Sequence, residues 1–161
     1  MGLCVSACNT VCSSKNEPEL IVDPSVKYEK YVPDIRYGIV SSVYDGDTIT
    51  ILGRVKYNPT VYKFSVRLNG IDCPEMRTEN VAEKAVALVA KQYVVGAVLN
   101  KKVELRNLGL DKYGRLLAHV YIDGRCINDE LVEKHMAVKY DGGTKKVPDD
   151  WRKYLQEYKE N

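Results

Sequence analysis

No apolar run in this 161-residue chain approaches the ~20 residues needed to cross a bilayer, so the sequence predicts no membrane-spanning helix. Charge of one sign is also scarce: 24 Lys and Arg face 22 Asp and Glu, a formal net charge of +2. So even a balance carries no footprint of nucleic acid, which takes the form of a concentrated basic patch. Histidine is limited to His119 and His135, and cysteine to five positions. Cys4, Cys8 and Cys12 share a thin N-terminal stretch, while Cys73 and Cys126 stand alone inside patterned segments, which excludes a disulfide framework. A closed zinc site needs four ligands, and both histidines are far in sequence from the cysteine trio. The positive n-region and long apolar h-region of a secretory signal are missing too. No internal repeat is visible.

What the N-terminus does carry is Met1-Gly2-Leu3-Cys4-Val5-Ser6, which matches the myristoylation pattern with Gly2 as acceptor and Ser6 in place. Cys4, Cys8 and Cys12 are available for palmitate, and two acyl signals are what stable anchoring requires. The expectation is a peripheral protein on the cytoplasmic face of a membrane if acylated, and a soluble cytoplasmic one otherwise. Residues 1–36, rich in Ser, Asn and charge and broken by Pro18, Pro24 and Pro33, read as a flexible tether. Residues 37–161 read as the folded domain.

Within that domain, Tyr37 to Tyr44 and Thr48 to Leu52 are strand-like about the turn Asp45-Gly46-Asp47, which predicts a hairpin. Val61 to Leu68 alternates as a third strand, and Gly70 and Pro74 break the pattern into a loop. Glu79 to Leu99 switches to helical spacing through Val81, Ala85, Leu88, Val89, Tyr93 and Val95. Lys102 to Arg106 and Leu116 to Ile122 read as strands around a Gly109 to Gly114 turn, and Ile127 to His135 as a short helix. Val138 to Tyr140 reads as a short strand, and Asp150 to Tyr158 as a terminal helix with Asp149 or Asp150 as its cap. The sum is an α+β domain on a compact barrel.

Three segments carry chemistry: Asp45-Gly46-Asp47-Thr48, Arg67 through Glu75, and Asp111-Lys112-Tyr113-Gly114-Arg115. Each places charged groups at a strand end or in a tight loop. Asp47 and Asp72, with a backbone carbonyl and waters, suit calcium, a hard cation that takes oxygen ligands. Glu75 suits a general base acting on water, and Arg67 and Arg115 suit planar, bidentate grips on phosphate. Alternatives stand beside these roles. An Asp-Gly pair alone is a turn former, Arg67 beside Asp72 alone is an ion pair on a barrel rim, and Cys73 fits equally a buried small apolar residue. His119 and His135 read as structural, and most of the 12 tyrosines as rim-packing strand residues. Lys145-Lys146 reads as a solvated loop.

The D-G-D-T turn, the R-L-x-G-I-D-C-P-E segment and the D-K-Y-G-R-x-L-A segment together resemble, in order and separation, the signature of the staphylococcal nuclease family, over about Ile39 to Tyr140. The resemblance implies a five-stranded OB-type β-barrel with about three helices and a calcium-dependent activity on DNA and RNA that leaves 3′-phosphate ends. It further implies Asp47, Asp72 and the backbone carbonyl of Cys73 as Ca2+ ligands, and Arg67, Glu75 and Arg115 as the catalytic set. Lys112 and Tyr113 match positions that contact substrate, Asp45 matches an acid behind the metal ligands, and Tyr140 is a further candidate for stacking on a base. The chain departs from the family's pattern at Cys73, where threonine is usual, in a longer hairpin between Leu52 and Val61, in a shorter loop after Glu75 and in a truncated C-terminal helical region. The expected partner is single-stranded DNA or RNA, because an OB-type groove accommodates one strand best. The rival expectation is a non-catalytic nucleic-acid- or protein-binding module on the same barrel.

Overall fold

The computed structural model describes residues 22–160. The lipidation candidates Gly2, Cys4, Cys8 and Cys12 lie outside them. Five strands of seven to nine residues build the barrel: β1 (Tyr37–Val43), β2 (Thr48–Arg54), β3 (Val61–Leu68), β5 (Lys102–Leu110) and β6 (Leu116–Ile122). Two-residue strands β4 (Ile71–Asp72), β7 (Arg125–Cys126) and β8 (Val138–Lys139) decorate it. β6 shows the physical basis most cleanly: Leu116, Ala118, Val120 and Ile122 are buried and the residues between them are not, the period of two that a half-buried strand requires.

The sheet order is β3-β2-β1-β5-β6-β7, and parallel pairing of β3 with β6 closes it. All other ladders among the described residues are antiparallel, so this seam is the one place where neighbouring strands run in the same direction. Closure demands curvature, and the chain supplies it with register shifts between Val40 and Ser42 and between Arg106 and Gly109. The second shift extends β5 four residues beyond the strand expected from sequence, to Leu110. Gly38 faces Gly53 across β1 and β2, and a Cβ on Gly38 would lie 2.8 Å from Ile51 Cδ1. The barrel bends too tightly there for a side chain.

Three helices are present among the described residues, as the sequence predicts: α1 (Val81–Val98), α2 (Ile127–Glu133) and α3 (Trp151–Glu160). Asn80 caps α1, its side chain accepting from Ala82 N at 2.9 Å and Glu83 N at 3.2 Å, a cap worth about 1 kcal/mol. The buried face of α1 differs from the expected one. Val86, Ala87, Ala90, Val94 and Val98 turn inward, whereas Val81, Leu88 and Val89 are exposed. The helix is apolar on more than one face, so spacing alone could not choose; close approach of the β1–β2 turn selects the face with two alanines.

Asn128 on α2 is 1% exposed and acts as a clamp. Its amide donates to Asn69 O (2.8 Å) and Ala118 O (3.2 Å), and its carbonyl accepts from Val120 N (2.9 Å), which fixes the loop after β3 against β6. α3 is capped by the preceding Asp150, one of the two cap candidates the sequence offers, whose carboxylate accepts from Arg152 N and Lys153 N. Its Trp151 and Leu155 pack on Val86 of α1, and His135 stacks on Tyr154 at 4.2 Å. Upstream, Ile35 is fully buried in the core and Leu105 N bonds Arg36 O, so packing on the barrel begins ahead of residue 37.

Candidate functional site

The β1–β2 turn is held shut by its own backbone: Tyr44 N and Asp45 N both reach Thr48 O, and Asp47 N donates to Asp45 Oδ1 at 3.1 Å. Gly46 lets this turn sit against α1, since a Cβ there would lie 2.8 Å from Cys73 Sγ and 2.9 Å from Ala90 Cβ. Asp47 is thereby delivered into the protein, 3% exposed. One of its oxygens accepts from Cys73 N (2.9 Å), and the other accepts from Thr48 Oγ1 (3.0 Å) and meets Arg67.

Arg67 stands opposite Thr48 in the β2–β3 register and opposite Leu117 in the β3–β6 seam. Its guanidinium bridges the two aspartates, with Nη1 on Asp47 and Nη2 donating to Asp72 Oδ1 at 2.6 Å and to Ile71 O at 3.3 Å. Asp72, on β4, is 2% exposed. Its second oxygen, Oδ2, is 3.0 Å from Lys145 Nζ, which is also 3.0 Å from Glu75 Oε1. Glu75 is itself exposed, on a loop that α1 anchors: Glu83 accepts from Glu75 N (3.0 Å) and from Thr78 Oγ1 (2.8 Å).

The β5–β6 turn brings the second arginine. Gly114 takes a φ of +83°, a left-handed conformation suited to glycine, and Asp111 organises the rest. Its carboxylate accepts from Tyr113 N (2.8 Å), Arg115 N (2.9 Å) and Arg115 Nε (2.6 Å). Burial by itself would raise the Asp111 carboxyl, but these bonds and the Arg115 charge outweigh it and hold it below the usual range. Tyr113 is 74% exposed, with Lys112 and Arg115 beside its ring. Tyr140 is half-buried and donates to Gly143 O.

All these groups line one cavity of about 840 Å³: the acids Asp45, Asp47, Asp72 and Glu75, the cations Arg67, Lys112, Arg115 and Lys145, and the rings of Tyr113 and Tyr140. Every site residue singled out within residues 22–160 is therefore in one place. Lys145 is the residue that sequence patterns missed; its partner Glu75 is 70 positions away, and only the path of the β8–α3 loop brings them together. A neighbouring depression of about 870 Å³ shares Asn69, Gly70, Ile71, Tyr140 and Asp141 with the first and includes His119 in its lining.

Burial pushes the Asp45 carboxyl up, against hydrogen bonds from Thr48 and the charges of Arg67 and Arg115. Burial likewise pushes the Cys73 thiol far up, so at neutral pH it is a protonated, packed side chain and not a thiolate ligand. Among the described residues no three His, Cys, Asp or Glu side chains cluster in a way that could hold a metal by themselves. The donors on offer are two buried carboxylates, Asp47 and Asp72, and backbone oxygens, with a solvent-open cavity for water. That set fits a hard cation that retains waters, and does not fit a soft one.

Comparison with known proteins adds the family. The model described as "Staphylococcal nuclease homologue" matches residues 65–161, a span that includes Arg67, Asp72, Glu75 and Arg115. The SPbeta prophage-derived endonuclease YokF of Bacillus subtilis is 35% identical over 121 residues, covering 71% of this chain and 38% of its own. An uncharacterized endonuclease of Haemophilus influenzae is 37% identical over 101 residues, covering 63% of this chain and 51% of its own. Probable endonuclease C19F8.04c of Schizosaccharomyces pombe is 34% identical over 85 residues, 48% of this chain and 37% of its own. This chain thus spans between 37% and 51% of the length of these three relatives.

Proposed function

The chain belongs to the staphylococcal nuclease family, and on that premise we propose that it hydrolyses phosphodiester bonds of DNA or RNA with the help of calcium. The observation that carries this is the convergence, in one cavity, of Asp45, Asp47, Asp72 and Glu75 with Arg67 and Arg115, from three separate segments of the chain. Asp47, Asp72 and the backbone carbonyl of Cys73 would hold the cation. Bound there, calcium would polarise the phosphoryl oxygen and bring a water close to it.

The chain's own residues then do the following. Glu75, exposed at the cavity mouth, orients that water and takes its proton. Arg67 and Arg115 stabilise the extra negative charge on the phosphorus oxygens in the transition state. Arg67 is held rigid by Asp47 and Asp72, and Arg115 by Asp111, so neither has to be ordered when substrate arrives. Tyr113 offers an exposed aromatic ring for a base and Lys112 a charge for a flanking phosphate, with Tyr140 in the lining of the same cavity. Unpaired strands suit this layout, since an exposed ring can stack only on a base that has left its partner. Family resemblance adds 3′-phosphate ends. We place the enzyme at the cytoplasmic face of a membrane through acyl chains on Gly2 and on Cys4, Cys8 or Cys12, a placement that release of a Gly2→Ala variant from the membrane fraction would support.

The test of the activity is cleavage of single-stranded DNA and of RNA by purified protein, with calcium and with chelator, in wild type, Glu75→Ala and Arg115→Ala. Calcium-dependent cleavage that both variants lose is expected. A folded wild type that binds these strands and cuts neither, at any calcium level or pH, would instead mark a binding module.

A further inference from the structure

Asp72 poses an electrostatic problem that the catalytic roles leave open. It is 2% exposed, and a buried carboxylate without a positive partner is very costly. Two protein cations solve it here: Arg67 takes Oδ1 and Lys145 takes Oδ2. Among the described residues no buried side-chain N or O lacks a hydrogen-bond partner, so the site is satisfied as it stands. A divalent ion that uses Asp72 enters an occupied position.

Resting on the calcium-dependent reading above, we infer that Lys145 is a built-in counter-ion that takes the cation's part at Asp72 Oδ2 while holding Glu75, and must withdraw for the divalent ion to bind. The two candidates for withdrawal are unequal. The Arg67 side chain is 15% exposed and clamped by Asp47, Asp72 and Ile71 O, whereas that of Lys145 is 46% exposed and sits on the loop between β8 and α3. An ammonium on a four-carbon stem swings away and rehydrates readily; a planar, multiply bonded guanidinium does not. The loop itself stays anchored, through Tyr140 N on Gly70 O (2.9 Å) at one end and buried Trp151 at the other, so the lysine retreats no further than the cavity mouth.

The arrangement couples two events. The same ammonium holds Glu75 at 3.0 Å, and Glu75 makes no other side-chain ion pair among the described residues. Its withdrawal therefore frees the general base at the moment the cation arrives. The pairing with Lys145 both ties down Glu75 and neutralises Asp72, so the fold does not depend on the ion for the charge balance of Asp72.

Apparent affinity falls by the fraction of molecules competent to bind, so a lysine engaged nine-tenths of the time weakens calcium about tenfold. The experiment is calorimetric titration of the full chain with calcium at fixed ionic strength, in wild type, Lys145→Met and Lys146→Met, with melting curves alongside. Lys146 removes the same charge one residue away but pairs with neither Asp72 nor Glu75. The inference expects Lys145→Met to bind about tenfold tighter and Lys146→Met to change less than about twofold. It also expects Lys145→Met to melt lower than wild type without calcium and to gain more on adding it. Equal tightening in both variants would reduce Lys145 to diffuse charge, and weaker binding in Lys145→Met would make it a builder of the site; either outcome overturns the inference while calcium dependence stands. Failure of all three folded proteins to bind calcium overturns the calcium reading and the inference together.

Discussion

The two arginines of the site live in opposite surroundings. Arg67, its side chain 15% exposed, is clamped between aspartates whose side chains are 5% and 3% exposed, and it lies in the seam that closes the barrel. Arg115, 34% exposed, leans on a single acid four residues earlier in its own turn. Arg67 depends on three strands and two loops being in place. Arg115 depends on five consecutive residues. One side chain is therefore part of what makes the fold, and the other is mounted on it. Both face the same cavity, so a loss of activity cannot tell them apart, but a loss of stability can.

The sharpest break is Arg67→Met. It removes a phosphate grip and leaves Asp47 and Asp72 buried with Lys145 alone, so cleavage of single-stranded DNA should fall about 10³-fold. Urea titration should show a loss of about 3–5 kcal/mol, the penalty for stranding a buried ionic partner. Arg115→Ala should lower cleavage by about 10²–10³-fold yet lower the unfolding free energy from urea titration by less than about 1 kcal/mol; a large loss would erase the contrast. Gly46→Ala tests the buried surroundings of Arg67 without touching charge. The new methyl must push Cys73 Sγ or Ala90 aside, and melting should report about 1–3 kcal/mol of destabilisation, with weaker calcium binding as the Asp47–Cys73 bond shifts.

The smallest effect belongs to Asp111 and is visible only in pH. Its carboxyl is held below the ordinary value of 3.8, so ionised Asp111 contributes stability that is fully present above that value and lost as pH falls through its folded one. Wild type should then exceed Asp111→Asn in stability at neutral pH, and the gap should close in acid below the ordinary value. A gap constant down to pH 2 would show that the Asp111–Arg115 pairing is geometric and carries no net charge contribution.

The same division governs how much was legible in the sequence. Local devices could be read: the Asp45–Thr48 turn, the Asp111–Arg115 turn and the Asp150 cap are each written within five residues and appear as such. The strand β6 was legible because it alternates cleanly, while the five-stranded barrel was legible only through the family resemblance. What failed to show is what depends on distant chain. The inward face of α1 was hidden because Val81, Leu88 and Val89 are as apolar as Val86 and Val94, and the choice was made by Gly46 some 40 positions upstream. Ile35 looked like tether because nothing beside it signals a strand, although it is core. β4 and β8, two residues each, are too short to have a period. Lys145 carries no pattern; its meaning comes from the loop that returns it to Asp72.

The parallel seam between β3 and β6 has a consequence during synthesis. Arg67 and Arg115 share a cavity because Val66, Arg67 and Leu68 pair with Leu116, Leu117 and Ala118. A growing chain that has emerged only through α1 already owns Asp47, Asp72 and Glu75, but it has no closing strand and no second arginine. The two arginines can share the cavity only once the barrel shuts, so strand order makes the assembly of this site a late step that no local segment can complete on its own.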